Sequence, residues 1–213
     1  MKTFVVLGAG RFGSSLAKAL FDFGFEVLVI DKNEDVISDI SNHVTHAVIG
    51  DCADEAVLKS LGVRNFDVGV VAVGEDMESS ILTTLLLKEM GLKYILAKAQ
   101  SDLHSKVLLK VGADKVIFPE RDMGIKIARS LADNNILDYI ELSPKHSIVE
   151  LAVPADWVGK SLKALNVRAN YGITIMAIKT KNGIEIAPSG ERLLKEDDIM
   201  VVLGANADLE KIR

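Results

Sequence analysis

A single cysteine, Cys52, stands in this 213-residue chain, so no internal disulfide framework staples it, and that cysteine reads as a small apolar filler. The four histidines, at 43, 46, 104 and 146, lack the spacing of metal ligands. No stretch approaches the roughly eighteen consecutive apolar residues of a membrane-spanning helix, and the first residues enter a strand without a signal-peptide pattern. Low-complexity segments and short repeats are missing too. A net charge of −5 argues against a nucleic-acid partner or attraction to an anionic membrane. These absences predict a soluble, cytoplasmic protein.

What is present is apolar material in regular order. Hydrophobic residues make up 49% of the chain, enough for a substantial core. Through about residue 118, strand-like runs near 3, 26, 45, 67, 94 and 115 alternate with helical patterns. Such alternation predicts an α/β fold, a Rossmann-like doubly wound parallel sheet covered on both faces. Positions 1 to 140 carry 20 acidic and 15 basic residues, whereas the remainder carries 10 of each, which points to two modules. The first is placed at residues 1–135, ending where Asp133-Asn-Asn135 interrupts a helix. Residues 136–146 read as a connector, and 147–213 as a small α+β domain with a hairpin at Lys181-Asn182-Gly183.

The first run, Thr3 to Leu7, breaks into Gly8-Ala-Gly10-Arg-Phe-Gly13 and a helix with Phe12, Leu16, Leu20 and Phe23 on one face. Gly8 permits the tight turn, Gly10 leaves the backbone bare for a phosphate, and Gly13 lets the helix pack closely. Free amides and the dipole at the helix start favour an anion. Eighteen residues beyond Gly13 a second strand delivers Asp31, an acceptor for ribose hydroxyls that would repel a 2′-phosphate; NAD or a plain adenine nucleotide is therefore favoured over NADP. Asp51, at the third strand tip, repeats the design or caps an ordinary turn. Arg11, a cation at a helix N-terminus, opposes the dipole unless an anion lies beside it, and so reads as a phosphate ligand.

Tyr94-Ile-Leu-Ala-Lys98 has the spacing of the tyrosine–lysine hydride-transfer pair of a short-chain dehydrogenase. That pair cooperates on a helix, and here the segment reads as a strand, on which four residues span about 13 Å. The helix from about Met77 to Met90 carries Ile81, Leu82, Leu85, Leu86 and Leu87 on more than one face, so a second surface beyond its own sheet is expected to be buried, in an oligomer contact or, alternatively, by a helix wedged deeply within its own domain.

With Arg11 in the glycine loop, acidic tips at Asp31 and Asp51, the segment Phe118-Pro-Glu120-Arg-Asp-Met-Gly124, and a C-terminal module running Gly190-Glu-Arg-Leu-Leu194 into Asp197-Asp-Ile-Met-Val-Val-Leu203, the chain resembles the KtrA/TrkA regulatory subunits of potassium uptake, of RCK-N plus RCK-C architecture. The resemblance implies a regulatory role rather than an enzyme. It implies a cytoplasmic homo-oligomer, a dimer building an octameric ring, bound to the inner face of a membrane-embedded potassium transporter subunit and switched by exchange of ATP for ADP. It also implies that Lys98 lies near the phosphates and that Glu120 associates with a divalent cation such as magnesium. Phe12 of the glycine loop, with Lys32, Cys52, Val73 and Gly74 beside the strand tips, completes the candidate cofactor-binding set. In some members of the family the C-terminal module binds cyclic di-AMP, for which Leu165-Asn-Val-Arg168 and Asn170-Tyr171 are placed plausibly, although an ordinary turn before a strand explains them as well. The rival readings are a small NAD-dependent oxidoreductase and a sensor of the NADH/NAD ratio.

Overall fold

Apolar runs flanked by turn residues become the strands of a parallel sheet in the computed structural model, which describes residues 1–74, 76–132 and 136–212. The chain divides into two compact units, Met1–Glu120 and Arg121–Arg213. In the first, β1 (Thr3–Leu7), β2 (Glu26–Asp31), β3 (His46–Ile49), β4 (Val68–Val71), β5 (Ile95–Lys98) and β6 (Lys115–Ile117) lie in the order β3-β2-β1-β4-β5-β6, every neighbour parallel. The connecting helices are α1 (Arg11–Asp22), α2 (Glu34–Ile40), α3 (Glu55–Ser60), α4 (Met77–Glu89) and α5 (Asp102–Val111).

Because side chains alternate along a strand, near-continuous apolar runs bury both faces. Val5, Leu7, Leu28, Ile30 and Val71 pack with Leu58 of α3, Leu87 of α4 and Leu108 of α5. On the other face Val6, Val27, Val29 and Val70 meet Ala17 of α1 and Ile37 and Ile40 of α2. Phe12, Leu16 and Leu20 join that second core, but Phe23 stands beyond the end of α1 and is 75% exposed, so the predicted apolar face is one residue shorter than read. Each large side chain buried in this way contributes about 1.5–3 kcal/mol.

Chain order reverses between β1 and β4, which opens a crevice at the carboxyl ends of the central strands. Helix starts crowd that edge and are capped from the sequence: Asn33 accepts from the Asp35 and Val36 amides, Asp54 from Ala56 and Val57, Asp76 from Ser79, and Ser101 from His104. Helix α4 buries Leu86 and Leu87 yet leaves Met77, Leu82 and Leu85 exposed, so the second apolar surface read in the sequence is uncovered within this chain. The next helix, α6 (Pro119–Ala132), likewise exposes Met123, Ile125, Ile127 and Leu131.

The second unit holds an antiparallel sheet, β10-β9-β11-β8-β7, from β7 (Ile136–Ser143), β8 (His146–Ala152), β9 (Thr174–Thr180), β10 (Gly183–Ile186) and β11 (Ile199–Ala205). Residues 136–146, expected as a connector, are instead strand β7 and the turn into β8. Ser143 Oγ closes this hairpin by accepting from the Lys145 and His146 amides at 3.3 and 3.1 Å. The interruption expected at 133–135 lies outside the described residues. The hairpin at Lys181-Asn182 forms as predicted, Thr180 pairing with Gly183. Short helices α7 (Leu162–Leu165) and α8 (Val167–Tyr171) cover the sheet, with Trp157 fully inside against the Tyr171 ring at 4.9 Å between centroids.

Candidate functional site

A cavity of about 560 Å³ opens over the crevice at the ends of β1, β2, β4 and β5. Its floor is the glycine loop. Gly8 holds φ +95°, and a Cβ there would sit 2.8 Å from the Val73 amide nitrogen; at Gly13 a Cβ would fall 2.0 Å from the Gly8 carbonyl oxygen. These two glycines fold the loop on itself. Gly10 differs, because a Cβ built on it meets nothing within 4 Å: its bare face looks into the cavity. Gly13 does not line the cavity and acts from beneath it. Since α1 starts at Arg11, its unpaired first-turn amides and the positive end of its dipole belong to the same wall, a place suited to a phosphate.

Asp31 closes the β2 side. Its Oδ2 accepts from the Ala9 amide at 2.6 Å and its Oδ1 from the Asn33 amide at 2.9 Å, so one carboxylate fixes both the glycine loop and the start of α2. Each oxygen keeps a further lone pair for a ribose hydroxyl. Asp51 also lines the cavity, with Oδ1 turned onto the Ala53 amide at 2.8 Å, the ordinary turn that the sequence allowed as its second reading. Between these two acids lies Cys52. Its thiol donates to the Ile30 carbonyl at 3.3 Å, and burial, reinforced by the charges of Asp31 and Asp51, pushes it up to about 12. Cys52 is thus both the apolar filler read from composition and part of the lining.

The opposite end is charged. Arg11 and Lys98 line it with Val73, Gly74 and Glu120, while Lys32, next in sequence to Asp31, lines the β2 side. Lys98 Nζ donates to Glu120 Oε1 at 2.6 Å, and this bond, aided by Arg11, holds the Glu120 carboxyl below its ordinary range. Among the described residues no three histidine, cysteine, aspartate or glutamate side chains gather to hold a metal. Glu120 within one chain therefore meets an ammonium group, not a second carboxylate.

Sequence reading missed four lining residues, Ala72, Asp76, Ser79 and Gln100. Their signal was position alone, just past the β4 and β5 tips. Asp76 caps α4, accepting from the Ser79 amide at 3.2 Å and from its hydroxyl, and these bonds, with a smaller contribution from Lys32, keep its carboxyl below the usual range.

Tyr94 and Lys98 are not brought together. Tyr94 precedes β5 and lines a separate cavity of about 510 Å³ with Phe4, Leu16, Leu20, Val68 and Leu96, whereas Lys98 ends the strand in the cavity described above. In the second unit Asn170, a candidate effector ligand, donates its amide to the Leu165 carbonyl at 2.8 Å, as a turn-forming residue does. No helix among the described residues is long and apolar enough to cross a membrane.

The TrkA-N domain model matches residues 4–119 and the TrkA-C domain model residues 147–213. The chain is 47% identical to the Ktr system potassium uptake protein C of Bacillus subtilis and 48% identical to the Ktr system potassium uptake protein A of the same organism, in each case over 99% of this chain and 95% of the relative. A solved structure of the GsuK channel bound to NAD is similar in fold, with a TM-score of 0.54 and 21% identity over 100% of this chain and 38% of that one. Matched in both modules and along nearly its whole length, the chain belongs to the TrkA-N/TrkA-C family of Ktr-type potassium uptake proteins.

Proposed function

We propose that this chain is a nucleotide-responsive regulatory subunit of a potassium uptake system, working at the inner face of the membrane through a transporter subunit. One observation carries the proposal: a cavity at the sheet's switch point, with a bare glycine, a helix N-terminus, two strand-tip acids and three cations, in a chain related along its length to Ktr potassium uptake proteins. Adenosine fits the acidic end, where Asp31 meets the ribose and Asp51 and Cys52 border the base. Phosphates fit the loop and the cationic end, where Arg11 and Lys98 distinguish ATP from ADP by the charge of the terminal group. In this reading nothing is transformed; the ligand selects a shape.

Thermodynamics constrains the switch. ATP activates only by binding the active shape more tightly than the resting one, and a shift from 1:99 to 99:1 needs an affinity ratio of about 10⁴. Several copies acting together amplify a smaller ratio, and the uncovered apolar faces of α4 and α6 are suited to joining copies into dimers and an octameric ring. Magnesium belongs to this proposal as a counter-ion held jointly by Glu120 and phosphate oxygens, Lys98 being the side chain it would displace. Cyclic di-AMP at the C-terminal domain is a further element of the same reading, to be sought with Arg168.

The NADH/NAD sensor is the second reading, favoured by the fold shared with a channel solved with NAD, since Asp31 serves the adenosine of either ligand. Mass and shape of the full chain, measured by native mass spectrometry and small-angle scattering with ATP, ADP, NAD and NADH, test both. A ring whose dimensions differ between ATP and ADP supports the proposal. Discrimination of NADH from NAD with indifference to ATP and ADP replaces it with the sensor, and indifference to all four removes both.

A further inference from the structure

Helix α4 carries three fully buried hydroxyl residues, Ser80, Thr83 and Thr84, where a helix that merely covers a sheet would carry aliphatic ones. Burying a hydroxyl is unfavourable unless it makes a hydrogen bond. Thr84 turns back on its own helix, to the Ser80 carbonyl at 2.8 Å, and Ser80 Oγ has no hydrogen-bond partner among the described residues. Thr83 alone of the three reaches outside: its Oγ1 donates to the Cys52 carbonyl at 3.0 Å.

That acceptor belongs to the wall of the nucleotide cavity. The Cys52 thiol in turn donates to the Ile30 carbonyl, which also accepts the Gly8 amide at 2.9 Å. Thr83 is therefore three hydrogen bonds from the first glycine of the loop, by way of the third and second strand tips. Helix α4 meets the same cavity a second time at its start, where Asp76 and Ser79 form part of the lining. Bonded to the wall through Thr83, and with its own start forming part of the lining, the helix presents Leu82 and Leu85 on its outer side, exposed.

Resting on the nucleotide-switch reading above, we infer that Thr83 is a positioning residue that ties α4 to the adenosine side of the cavity, so that the ligand's effect on the β2 and β3 tips is delivered to the outer face of α4. Removing the hydroxyl leaves every lining side chain in place. It releases the helix from the Cys52 backbone, and ligand binding separates from the change of shape.

The experiment compares wild-type full chain with Thr83→Val and Thr83→Ser, measuring ATP and ADP affinity by calorimetry and ring dimensions by scattering with each nucleotide. Thr83→Val is expected to bind both nucleotides within about threefold of wild type while its ATP and ADP shapes converge, the coupling falling by about fivefold or more. Thr83→Ser, which keeps the donor, restores the difference. The inference is overturned if Thr83→Val retains the full ATP–ADP shape difference, or if Thr83→Ser fails to rescue it. If Thr83→Val does not fold, Thr83→Ala replaces it with the same expectations, and failure of both to fold assigns the hydroxyl to stability and overturns the inference. A wild-type chain indifferent to nucleotide sinks the switch reading itself, an outcome visible before any variant is made.

Discussion

Replacing Asp31 with asparagine exchanges one oxygen for an NH₂ group and tests the architecture of the loop. The wild-type carboxylate accepts two amide hydrogens, from Ala9 at 2.6 Å and Asn33 at 2.9 Å, one on each oxygen. An asparagine carbonyl can replace only one of those acceptors, and its NH₂ group then faces the other amide donor to donor. Hydrogen bonds to a charged group contribute about 1.5–3 kcal/mol, so losing one and weakening the other is expected to lower stability by about 2 kcal/mol, or about 4–8 °C in melting temperature for a chain of this size. Binding falls further, because the ribose loses a charged acceptor: a second 1.5–3 kcal/mol corresponds to roughly 10- to 150-fold weaker affinity. Since the ribose is common to ATP, ADP and NAD, calorimetry should find the same factor for all three. Affinity within threefold of wild type, or a loss confined to one nucleotide, would refute the role assigned to this side chain.

The glycine loop yields a contrast. Gly13→Ala places a Cβ 2.0 Å from the Gly8 carbonyl and should lower stability by more than about 3 kcal/mol in thermal melts, whereas Gly10→Ala meets no protein atom, leaving the melt unchanged while phosphate-containing ligands bind weakly. Arg11→Ala is expected to reduce the preference for ATP over ADP by about tenfold, read by calorimetry, with ADP affinity little altered. Buried His104 is held neutral, its pKa lowered from 6.5 by desolvation. The unfolded chain therefore takes up the proton first, and stability present above pH 6.5 is lost as pH falls toward the folded-state value. His104→Gln should melt with a shallower decline between pH 7 and 5; an unchanged slope would contradict the assignment.

Six parallel strands were legible because a strand buried on both faces must be apolar throughout, and each run ended in a turn residue or helix cap. Strand β7 was not. Residues 136–143 alternate hydrophobic and polar side chains weakly, and the Ser143-Pro144 pair that closes a hairpin is also what a linker looks like; only the pairing partner on β8 distinguishes them. The lining shows the same divide. Gly8, Gly10 and Asp31 carry signals within a few residues of sequence, but Asp76, Ser79 and Gln100 enter the cavity only because β4 lies beside β1 and β5 beside β4, a long-range fact that no local pattern encodes. Phe23 misled for the opposite reason: it keeps the helical period as the C-cap of α1, but Gly24, at φ +85°, turns the chain away directly after it and leaves the ring past the last packed turn.

The thiol of Cys52 has a practical consequence. Buried, and with its thiol pushed up to about 12 by that burial and the neighbouring carboxylates, Cys52 stays protonated at neutral pH and is a poor target for maleimides and peroxide in the native protein. The chain offers a silent background for spectroscopy: a cysteine introduced on an exposed face can be labelled without first deleting the natural one, and a fluorophore so placed would report rearrangement between copies in real time.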